Sequence, residues 1–477
     1  MTTTQPALDL ERLARVRRRL ADHAARPAPS GLTDPDPGAT EQWEAGQVWA
    51  HLAEFPAYWL GQIQHILADA PAGEPVPFGR TKTDAGRIEA IERERRTDPS
   101  ELLRRVSADL DTVSATLSAL PADAWERRGL HPARGEMTIH EIAERFLLNH
   151  LEEHADQLDG LELVTIHEIR DAAARIRGVA TRTPLLRWDD RTWLKPESLQ
   201  PVGAFKMRGA YNAIASLSDE ERRRGVVTYS SGNHAQAVAR AARLLGAPAV
   251  IVMPEAAPQV KVDGVRSDGG EIIFTGTGSE ERHQIALDVV EQRDMVMIEP
   301  YDDRRIIAGQ GTAGLEIAED LPEVSSVLIP VSGGGLSAGI ATAIKSLAPN
   351  ARVIGVEPEL AADARESLAK GEVVHWDASL TTRTMADGLR VEHLGRLPFM
   401  HLRRYMDEIV TVTEDQLVDA VRRLASGARL VVEPSGAAAM AAHLARAARQ
   451  PAGDDRRVVV ISGGNLDARA FADILAG

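Results

Sequence analysis

The sequence predicts an α/β domain preceded by an all-α four-helix bundle. Before about residue 160 the apolar residues recur at helical spacing, and after it short β-branched runs alternate with amphipathic helices. Several of these runs are apolar throughout, as in strands that helices cover on both faces. We therefore predict two domains, residues 1–160 and residues 161–477.

Composition bounds the class of protein. The chain has 477 residues, of which 44% are hydrophobic, enough for two or three domains with full cores. It has no cysteine, which excludes disulfides, thiolate metal sites and thiol nucleophiles. Because no apolar run is long enough to span a membrane or to form a signal region, we expect a cytoplasmic protein without a membrane partner. The net charge of −15 argues against a nucleic-acid partner.

The first domain contains four segments with helical spacing, at roughly residues 9–25, 41–69, 100–120 and 137–158. Stretches rich in Pro, Gly and Asp separate them. This arrangement favours an up-and-down bundle.

The second domain begins with the helix TIHEIRDAAARIRG and contains eight predicted strands. They are GVVTYS, PAVIVMP, EIIFTG, MVMIEP, SSVLIPV, RVIGVEP, EIVTV and RVVVIS. Ligands of open α/β sheets bind at the carboxyl ends of strands, so the loops after these runs are the candidate site.

Two of these loops suit anions. The three glycines at 333–335 lie between a strand and a helix, where close backbone approach and free N–H groups suit a phosphate, although a plain glycine turn is an alternative. The loop lacks the Lys-Ser/Thr ending that would indicate ATP. The stretch TYSSGNHA opens another helix, and its polar groups suit either a carboxylate or simple helix capping. A third strand ends at Ser462, before two glycines.

One lysine stands out among these loops. Lys206 lies in LKPESLQPVGAFKMRGAYNA, between an aromatic residue and a methionine and just before a helix-favouring run. It is either a solvated surface charge or a buried amine that takes part in chemistry. Residue types alone leave both readings open.

Nine stretches stand in the order seen in one enzyme family. They are LKPESLQPVGAFKMRGA, SSGNHAQAVA, IVMPEAAPQVKVDGVR, DDRRIIAGQGTAGLEI, PVSGGGLSAGI, VIGVEP, MADGLR, VVEPSGAAA and VVISGGN. On these motifs, residues from about 163 to 477 resemble the pyridoxal-phosphate enzymes of fold type II, specifically the serine/threonine dehydratase and serine racemase family. The resemblance implies two open twisted sheets with helices on both faces and pyridoxal phosphate as cofactor. We also expect a homodimer or higher homo-oligomer.

The resemblance also implies roles for individual residues. Lys206 is the Schiff-base lysine, Asn233 faces the ring hydroxyl of the cofactor, and Ser462 faces the pyridine nitrogen. The phosphate loop is formed by Gly333, Gly334, Gly335 and Leu336. The carboxylate of a small amino-acid substrate is bound by Ser230, Ser231, Asn233 and His234.

These roles favour dehydration over transamination, because a hydroxyl at the pyridine nitrogen does not favour a protonated ring. We expect a small β-hydroxy amino acid such as L-threonine or L-serine to give a 2-keto acid and ammonia. Ser231, on the face opposite Lys206, keeps serine racemisation open as an alternative. Against racemisation, about Glu281 stands where racemases carry an arginine, and Tyr301 replaces the usual phenylalanine of dehydratases. A specialised lyase acting on a modified amino acid, and a non-catalytic cofactor-holding protein, are further alternatives.

The resemblance to the racemase-like branch further implies a divalent-cation loop in VEPELAAD. The carboxylates of Glu357 and Asp363 and the carbonyl of Ala361 are the expected ligands. Hard oxygen ligands suit Mg²⁺ or Ca²⁺. An exposed acidic loop is the alternative.

The first domain carries a candidate metal site of its own. The stretch NHLEEHADQL places His150 and His154 one helical turn apart, and His51 lies on an earlier helix. Three imidazoles from two helices suit Zn²⁺, Ni²⁺ or another divalent transition metal. A solvated helix face explains an HxxxH pair equally simply. Residues from about 9 to 158 resemble the DinB-like metal-binding bundles.

Overall fold

The computed structural model divides into two compact units, Met1–Glu162 and Leu163–Gly477. It describes residues 8–29, 31–34, 41–69, 74–230, 232–276, 279–448 and 451–476. None of the described helices is both long and apolar enough to cross a membrane.

The first unit is predominantly helical. Its helices are α1 (Leu10–Ala24), α2 (Ala45–Leu52), α3 (Phe55–Asp69), α4 (Ala85–Glu94), α5 (Pro99–Ser118), α6 (Ile139–Ala143) and α7 (Asn149–Glu162). One π-helical turn, Glu144–Leu148, joins α6 directly to α7. A small sheet of β1 (Val76–Pro77), β2 (Arg128–His131) and β3 (Gly135–Thr138) completes the unit.

The four predicted helical segments are confirmed as helical regions, with two differences. The second is interrupted at residues 53–54 and forms α2 and α3, and the fourth contains the π-helical turn. Helix α4 and the small sheet were not predicted. They lie where short stretches interrupted by Pro and Gly were interpreted as loops, and a two-residue strand such as β1 has too little periodicity to detect.

Helix α1 shows why this unit folds. Asp9 caps its first turn by accepting hydrogen bonds from the backbone N–H groups of Glu11 and Arg12. Leu13, Val16 and Leu20 recur at helical spacing and are buried in the core. That core is continuous across the unit and contains aromatic side chains, including those of Trp43, Trp49, Phe55, Trp59 and Trp125.

A buried histidine joins the ends of α1 and α7. The Nε2 atom of His23 lies 2.7 Å from Oδ1 of Asp159, and its Nδ1 atom lies 2.6 Å from Oε1 of Glu162. Burial by itself lowers the pKa of His23, but these two carboxylates more than offset it and raise the pKa above its ordinary value. The imidazolium form is therefore the one that the fold favours.

The second unit alternates helices and strands. Its strands are β4 (Leu186–Arg187), β5 (Thr192–Pro196), β6 (Val226–Tyr229), β7 (Ala249–Pro254), β8 (Glu271–Thr275), β9 (Val296–Met297), β10 (Ser326–Pro330), β11 (Arg352–Pro358), β12 (Glu408–Val412) and β13 (Arg457–Ile461). Its helices are α8 (Ile166–Ile176), α9 (Lys206–Ala215), α10 (Asp219–Arg224), α11 (Asn233–Leu245), α12 (Gln259–Ser267), α13 (Ser279–Arg293), α14 (Arg304–Asp320), α15 (Gly335–Leu347), α16 (Asp363–Lys370), α17 (Ala378–Thr381), α18 (Arg396–Tyr405), α19 (Glu414–Arg423), α20 (Pro434–Leu444) and α21 (Ala468–Ala476).

The strands form two open sheets. One has the order β12-β11-β10-β13-β5-β4 and the other β8-β7-β6-β9. All pairs are parallel except β4 with β5. The eight predicted strands are confirmed, whereas β4 and β5 were missed. The second of these carries the buried Lys195, so it does not read as an apolar run.

This topology assembles the predicted loops. Strands β10 and β13 are parallel neighbours, so the glycine loop after β10 and Ser462 after β13 lie at the same edge of one sheet. Ala204, two residues before Lys206, pairs with Gly463, which follows Ser462. The start of α9 is thereby placed at this edge.

The imidazolium of His23 predicts a pH dependence of stability. Because its pKa is raised in the folded state, its contribution is complete below the ordinary histidine pKa of about 6.5 and is lost as the pH rises through the folded-state value. The stability advantage of the wild-type chain over His23→Gln should therefore shrink from pH 6 to pH 9, as measured by calorimetric melting. His140→Gln, at an exposed histidine, should follow the wild-type curve. An advantage that grows with pH would contradict the assignment.

Candidate active site and candidate metal centres

Lys206 is the first residue of α9, and its side chain is half-buried. Its Nζ atom donates a hydrogen bond to the carbonyl oxygen of Pro300 at 2.6 Å, and burial lowers the pKa of Lys206 to about 7. At neutral pH a large share of the amine is therefore unprotonated and nucleophilic. The alternative of a solvated surface charge does not fit this environment.

A buried ion network holds α9 in place. The guanidinium of Arg208 bridges two carboxylates, with contacts of 2.7 and 2.8 Å to Glu197 and of 2.7 and 2.8 Å to Glu316. Lys195 on β5 completes the network through its 2.6 Å contact with Glu316. Arg208, Glu197 and Lys195 are fully buried. Two cations and two anions balance, so the helix that begins with Lys206 is tied to β5 and α14.

The predicted phosphate loop lies between β10 and α15. Gly334 has φ of +93°, a backbone conformation that disfavours a side chain, and a β-carbon on Gly333 would lie 2.3 Å from the ring of Tyr301. Gly335 begins α15, and Leu336 is buried behind it. The first N–H groups of a helix have no intrahelical acceptor, so this loop offers donors and a positive dipole end to a phosphate.

Asn233, Ser462 and two buried partners form the wall nearest α9. Asn233 Nδ2 donates to Glu433 Oε1 at 2.6 Å, and Asn465 Nδ2 donates to Asn233 Oδ1 at 3.0 Å. Burial raises the pKa of Glu433 to about 7. Its Oε2 atom is buried without a hydrogen-bond partner among the described atoms. Ser462 is buried, and its carbonyl oxygen accepts a hydrogen bond from the N–H of Phe205, next to Lys206.

The predicted carboxylate loop is described only in part, because Ser231 lies outside the described residues. Ser230 Oγ accepts the N–H of Gly232 at 3.2 Å. His234 Nε2 lies 3.2 Å from the carbonyl oxygen of Ile298, so Nε2 must carry the proton. Burial first, and then the charge of Lys206, lower the pKa of His234 to about 3. The remaining Nδ1 lone pair does not suit a carboxylate, so the N–H groups that open α11 are the better donors.

Sequence reasoning missed a cation next to this loop. The racemase arginine was looked for at about Glu281, which is exposed, whereas the next residue, Arg282, is half-buried. Burial lowers the pKa of Arg282, and the charged groups acting on it include Glu392 and Tyr229. Tyr229 ends β6 directly before Ser230. Only the structure separates two adjacent residues of a helix by their burial.

The residues of the predicted Mg²⁺ or Ca²⁺ loop lie at the carboxyl end of β11. Glu357 is buried and accepts the N–H groups of Ala364 and Arg365 at 3.0 and 2.8 Å. Burial, together with the nearby Asp363, raises the pKa of Glu357, and burial raises the pKa of Asp363 to about 7. Asp363 Oδ2 is buried without a hydrogen-bond partner in the described part, and Ala361 is buried beside it in the chain. Two carboxylates in this state fit a hard cation.

The three predicted histidines of the first unit converge on one point. His150 Nε2 lies 3.0 Å from His51 Nε2 and 3.2 Å from His154 Nε2. Nitrogens bound to one tetrahedral Zn²⁺ at about 2.0–2.1 Å are separated by about 3.3 Å, so the spacing suits a shared metal. His51, His150 and His154 are the one group of three or more potential metal ligands found in the described residues.

Outer partners orient these rings. Each Nδ1 atom faces an acceptor three residues further along the chain, in the pairs His51 with Glu54 (3.3 Å), His150 with Glu153 (3.3 Å) and His154 with Gln157 (2.8 Å). An Nδ1–H donated outward leaves the Nε2 lone pairs pointing inward. Burial lowers the pKa of His51 and of His154 well below the ordinary value, so both stay neutral. Lone pairs that face each other at this distance repel unless a cation lies between them.

The second unit therefore has the parts of an α/β enzyme that works through a lysine amine beside a phosphate-binding loop. Comparison with known proteins agrees. The model of the family described as "Pyridoxal-phosphate dependent enzyme" matches residues 176–463, and that of the DinB superfamily matches residues 12–158. The chain thus belongs to the pyridoxal-phosphate dependent enzyme family.

Individual relatives narrow the group within the family. A serine racemase of Schizosaccharomyces pombe is 38% identical over 325 residues, covering 67% of this chain and 99% of the racemase. An L-threo-3-hydroxyaspartate ammonia-lyase of Saccharomyces cerevisiae is 38% identical and covers 66% of this chain and 97% of that protein. The crystal structure of the threonine deaminase of T.th. is 41% identical, with a TM-score of 0.60, and covers 64% of this chain and 99% of that chain. The expectation of a pyridoxal-phosphate enzyme of the ammonia-lyase and racemase group is confirmed.

The low pKa of Lys206 predicts when the cofactor can be captured. Because the neutral amine becomes populated as the pH rises through about 7, the rate at which cofactor-free protein captures pyridoxal phosphate should rise with a midpoint near that pH. Stopped-flow absorbance measures the rate, and borohydride reduction with peptide mass spectrometry locates the attachment. Lys206→Ala should show no attachment there, and Lys370→Ala, at an exposed lysine, should match wild type. A midpoint near the ordinary lysine value of about 10 would contradict the assignment.

Proposed function

We propose that the second unit dehydrates and deaminates a small β-hydroxy amino acid such as L-threonine or L-serine, releasing a 2-keto acid and ammonia. The observation that carries the proposal is the half-buried Lys206 amine, whose pKa is lowered to about 7 by burial. Pyridoxal phosphate, when bound, supplies an electron-withdrawing ring that acidifies the Cα–H bond of the substrate.

The chain's own groups have distinct tasks in this proposal. Lys206 first holds the cofactor and then, as a free amine, removes the Cα proton. The N–H groups of the loop at 333–335 hold the phosphate, and Asn233 orients the ring hydroxyl. Ser462 meets the ring nitrogen with a hydroxyl instead of a carboxylate, which favours loss of a β-leaving group over transamination. Ser230 and the N–H groups at the start of α11 bind the substrate carboxylate.

A second substrate is favoured by Arg282. A half-buried guanidinium near Tyr229, and so close along the chain to Ser230, suits a β-substituent that carries its own negative charge. A β-hydroxy amino acid with a β-carboxylate, such as 3-hydroxyaspartate, has that substituent. The hydroxyaspartate ammonia-lyase among the relatives supports this candidate.

One assay separates these activities and tests Ser231. Loaded enzyme is incubated with L-serine, L-threonine and L-threo-3-hydroxyaspartate, and keto acid and D-amino acid are measured in parallel. Keto acid should dominate. If Ser231 transfers a proton on the face opposite Lys206, Ser231→Ala should lose at least 90% of D-serine formation and keep most keto-acid formation. Ser267→Ala, at an exposed serine, is the matched control. Equal loss of both products would assign Ser231 to substrate binding instead.

We further propose that the first unit binds Zn²⁺, Ni²⁺ or another divalent transition metal through His51, His150 and His154. Three protein ligands leave open coordination positions, which structural zinc sites lack. In the second unit, Glu357, Asp363 and the carbonyl of Ala361 are proposed to bind Mg²⁺ or Ca²⁺.

Calorimetry on the chelator-treated full-length chain tests both metal proposals. Zn²⁺ should bind with about one equivalent, and the double variant His150→Ala, His154→Ala should weaken it at least 100-fold because two ligands are lost. His65→Ala, at an exposed histidine of α3, should bind as wild type. The double variant should also keep its eliminating activity. Ca²⁺ should bind separately and be lost in Asp363→Asn. Zn²⁺ binding that survives the double variant would leave the histidines as ordinary packing residues.

A further inference from the structure

The histidine site of the first unit has a buried cation beside it. Arg87, in α4, is 8% exposed, and its guanidinium carbon lies 5.2 Å from the centroid of the Trp43 ring. The other neighbours of that ring are ligands of the proposed metal. Trp43 stacks on His154 at 5.7 Å and meets His51 edge-on at 5.3 Å. Arg87 and the three imidazoles thus surround one indole.

The charge of Arg87 is not neutralised by the described part of the protein. Its side chain donates one hydrogen bond, from Nη1 to the carbonyl oxygen of Lys82 at 2.9 Å, and no described carboxylate oxygen pairs with its guanidinium. Burial lowers the pKa of Arg87, as expected for a desolvated cation. A cation–π contact with Trp43 accounts for its position but leaves its charge uncompensated.

The neighbouring acidic groups are engaged elsewhere. Glu54 pairs with Arg80, which also stacks over Tyr58. Glu41 accepts the indole N–H of Trp43 at 2.9 Å, and Asp84 accepts the backbone N–H of Arg87 at the start of α4. Arg80 is thereby compensated, whereas Arg87 is not.

A bound metal would increase this imbalance. Three neutral imidazoles leave the double positive charge of a divalent ion uncompensated, and the field of Arg87 already acts on both buried histidines, lowering the pKa of each after the larger effects of burial and the neighbouring rings. Water could fill an open coordination position, but it would not compensate the guanidinium. A negatively charged ligand compensates both cations.

We infer that the site is built to receive a small anion, such as a carboxylate, which binds the metal at an open position and interacts with Arg87 across Trp43. The inference rests on the proposed metal site and names the class of ligand that it takes. Arg87 would act as the charge-selecting residue, so that anions are preferred to neutral ligands of similar size.

The test uses the full-length chain loaded with Co²⁺, whose visible absorption reports its coordination. Acetate and azide are the anionic probes, and imidazole is the neutral probe. Arg87→Gln should weaken acetate and azide binding at least tenfold and leave imidazole binding unchanged, because only the charge facing the ligand is removed. Arg87→Lys should keep most of the anion affinity. Arg93→Gln, at an exposed arginine of the same helix, should behave as wild type.

The outcomes distinguish this inference from the metal proposal. Absence of a Co²⁺ spectrum contradicts the metal site and with it the inference. A Co²⁺ spectrum with equal anion affinities in wild type and Arg87→Gln overturns the inference alone. Circular dichroism checks folding, and Arg87→Met replaces the glutamine variant where that variant does not fold. Should neither fold, a loaded wild-type chain that binds imidazole but neither anion overturns the inference.

Discussion

The catalytic end of the second unit depends on a buried guanidinium held between two carboxylates. Arg208 lies two residues after Lys206, and its contacts with Glu197 and Glu316 join α9 to the segment after β5 and to α14. Removing one partner of such a buried network typically costs about 3–5 kcal/mol, because the other charge stays buried and unpaired. The network is weak evidence for net stability but strong evidence for a defined geometry. The position of the reactive amine follows from it.

The other candidate sites pose the same electrostatic problem without an internal solution. Glu357 and Asp363 bring two acidic groups together in the interior, and the pKa of each is raised. In the first unit three imidazole lone pairs face one another, and outward hydrogen bonds hold the rings in that orientation. Where Arg208 finds its counter-charge within the protein, these groups need a cation from solution. A fold that accepts such costs usually does so at a functional site.

Periodicity explains what could be predicted from the sequence. Parallel strands buried on both faces are apolar throughout, so eight of them could be recognised, and helical spacing located the bundle. Strand β5 was missed because its buried charge, Lys195, belongs to the ion network, which is formed only in three dimensions. The i, i+4 spacing pointed to His150 and His154, but the 3.0 Å approach of His51 depends on helix packing. Burial separates Arg282 from Glu281 and selects Arg87, and no local pattern encodes it.

The π-helical turn of Glu144–Leu148 has a consequence for how this chain can vary during evolution. Such a turn holds one residue more than the α-helix around it and ends directly before α7, which carries His150 and His154. Each residue of an α-helix advances the side-chain direction by about 100°. Loss of a single codon here would turn both imidazoles away from His51 while leaving the helix intact. Homologous chains should therefore accept substitutions in this segment far more readily than changes in its length.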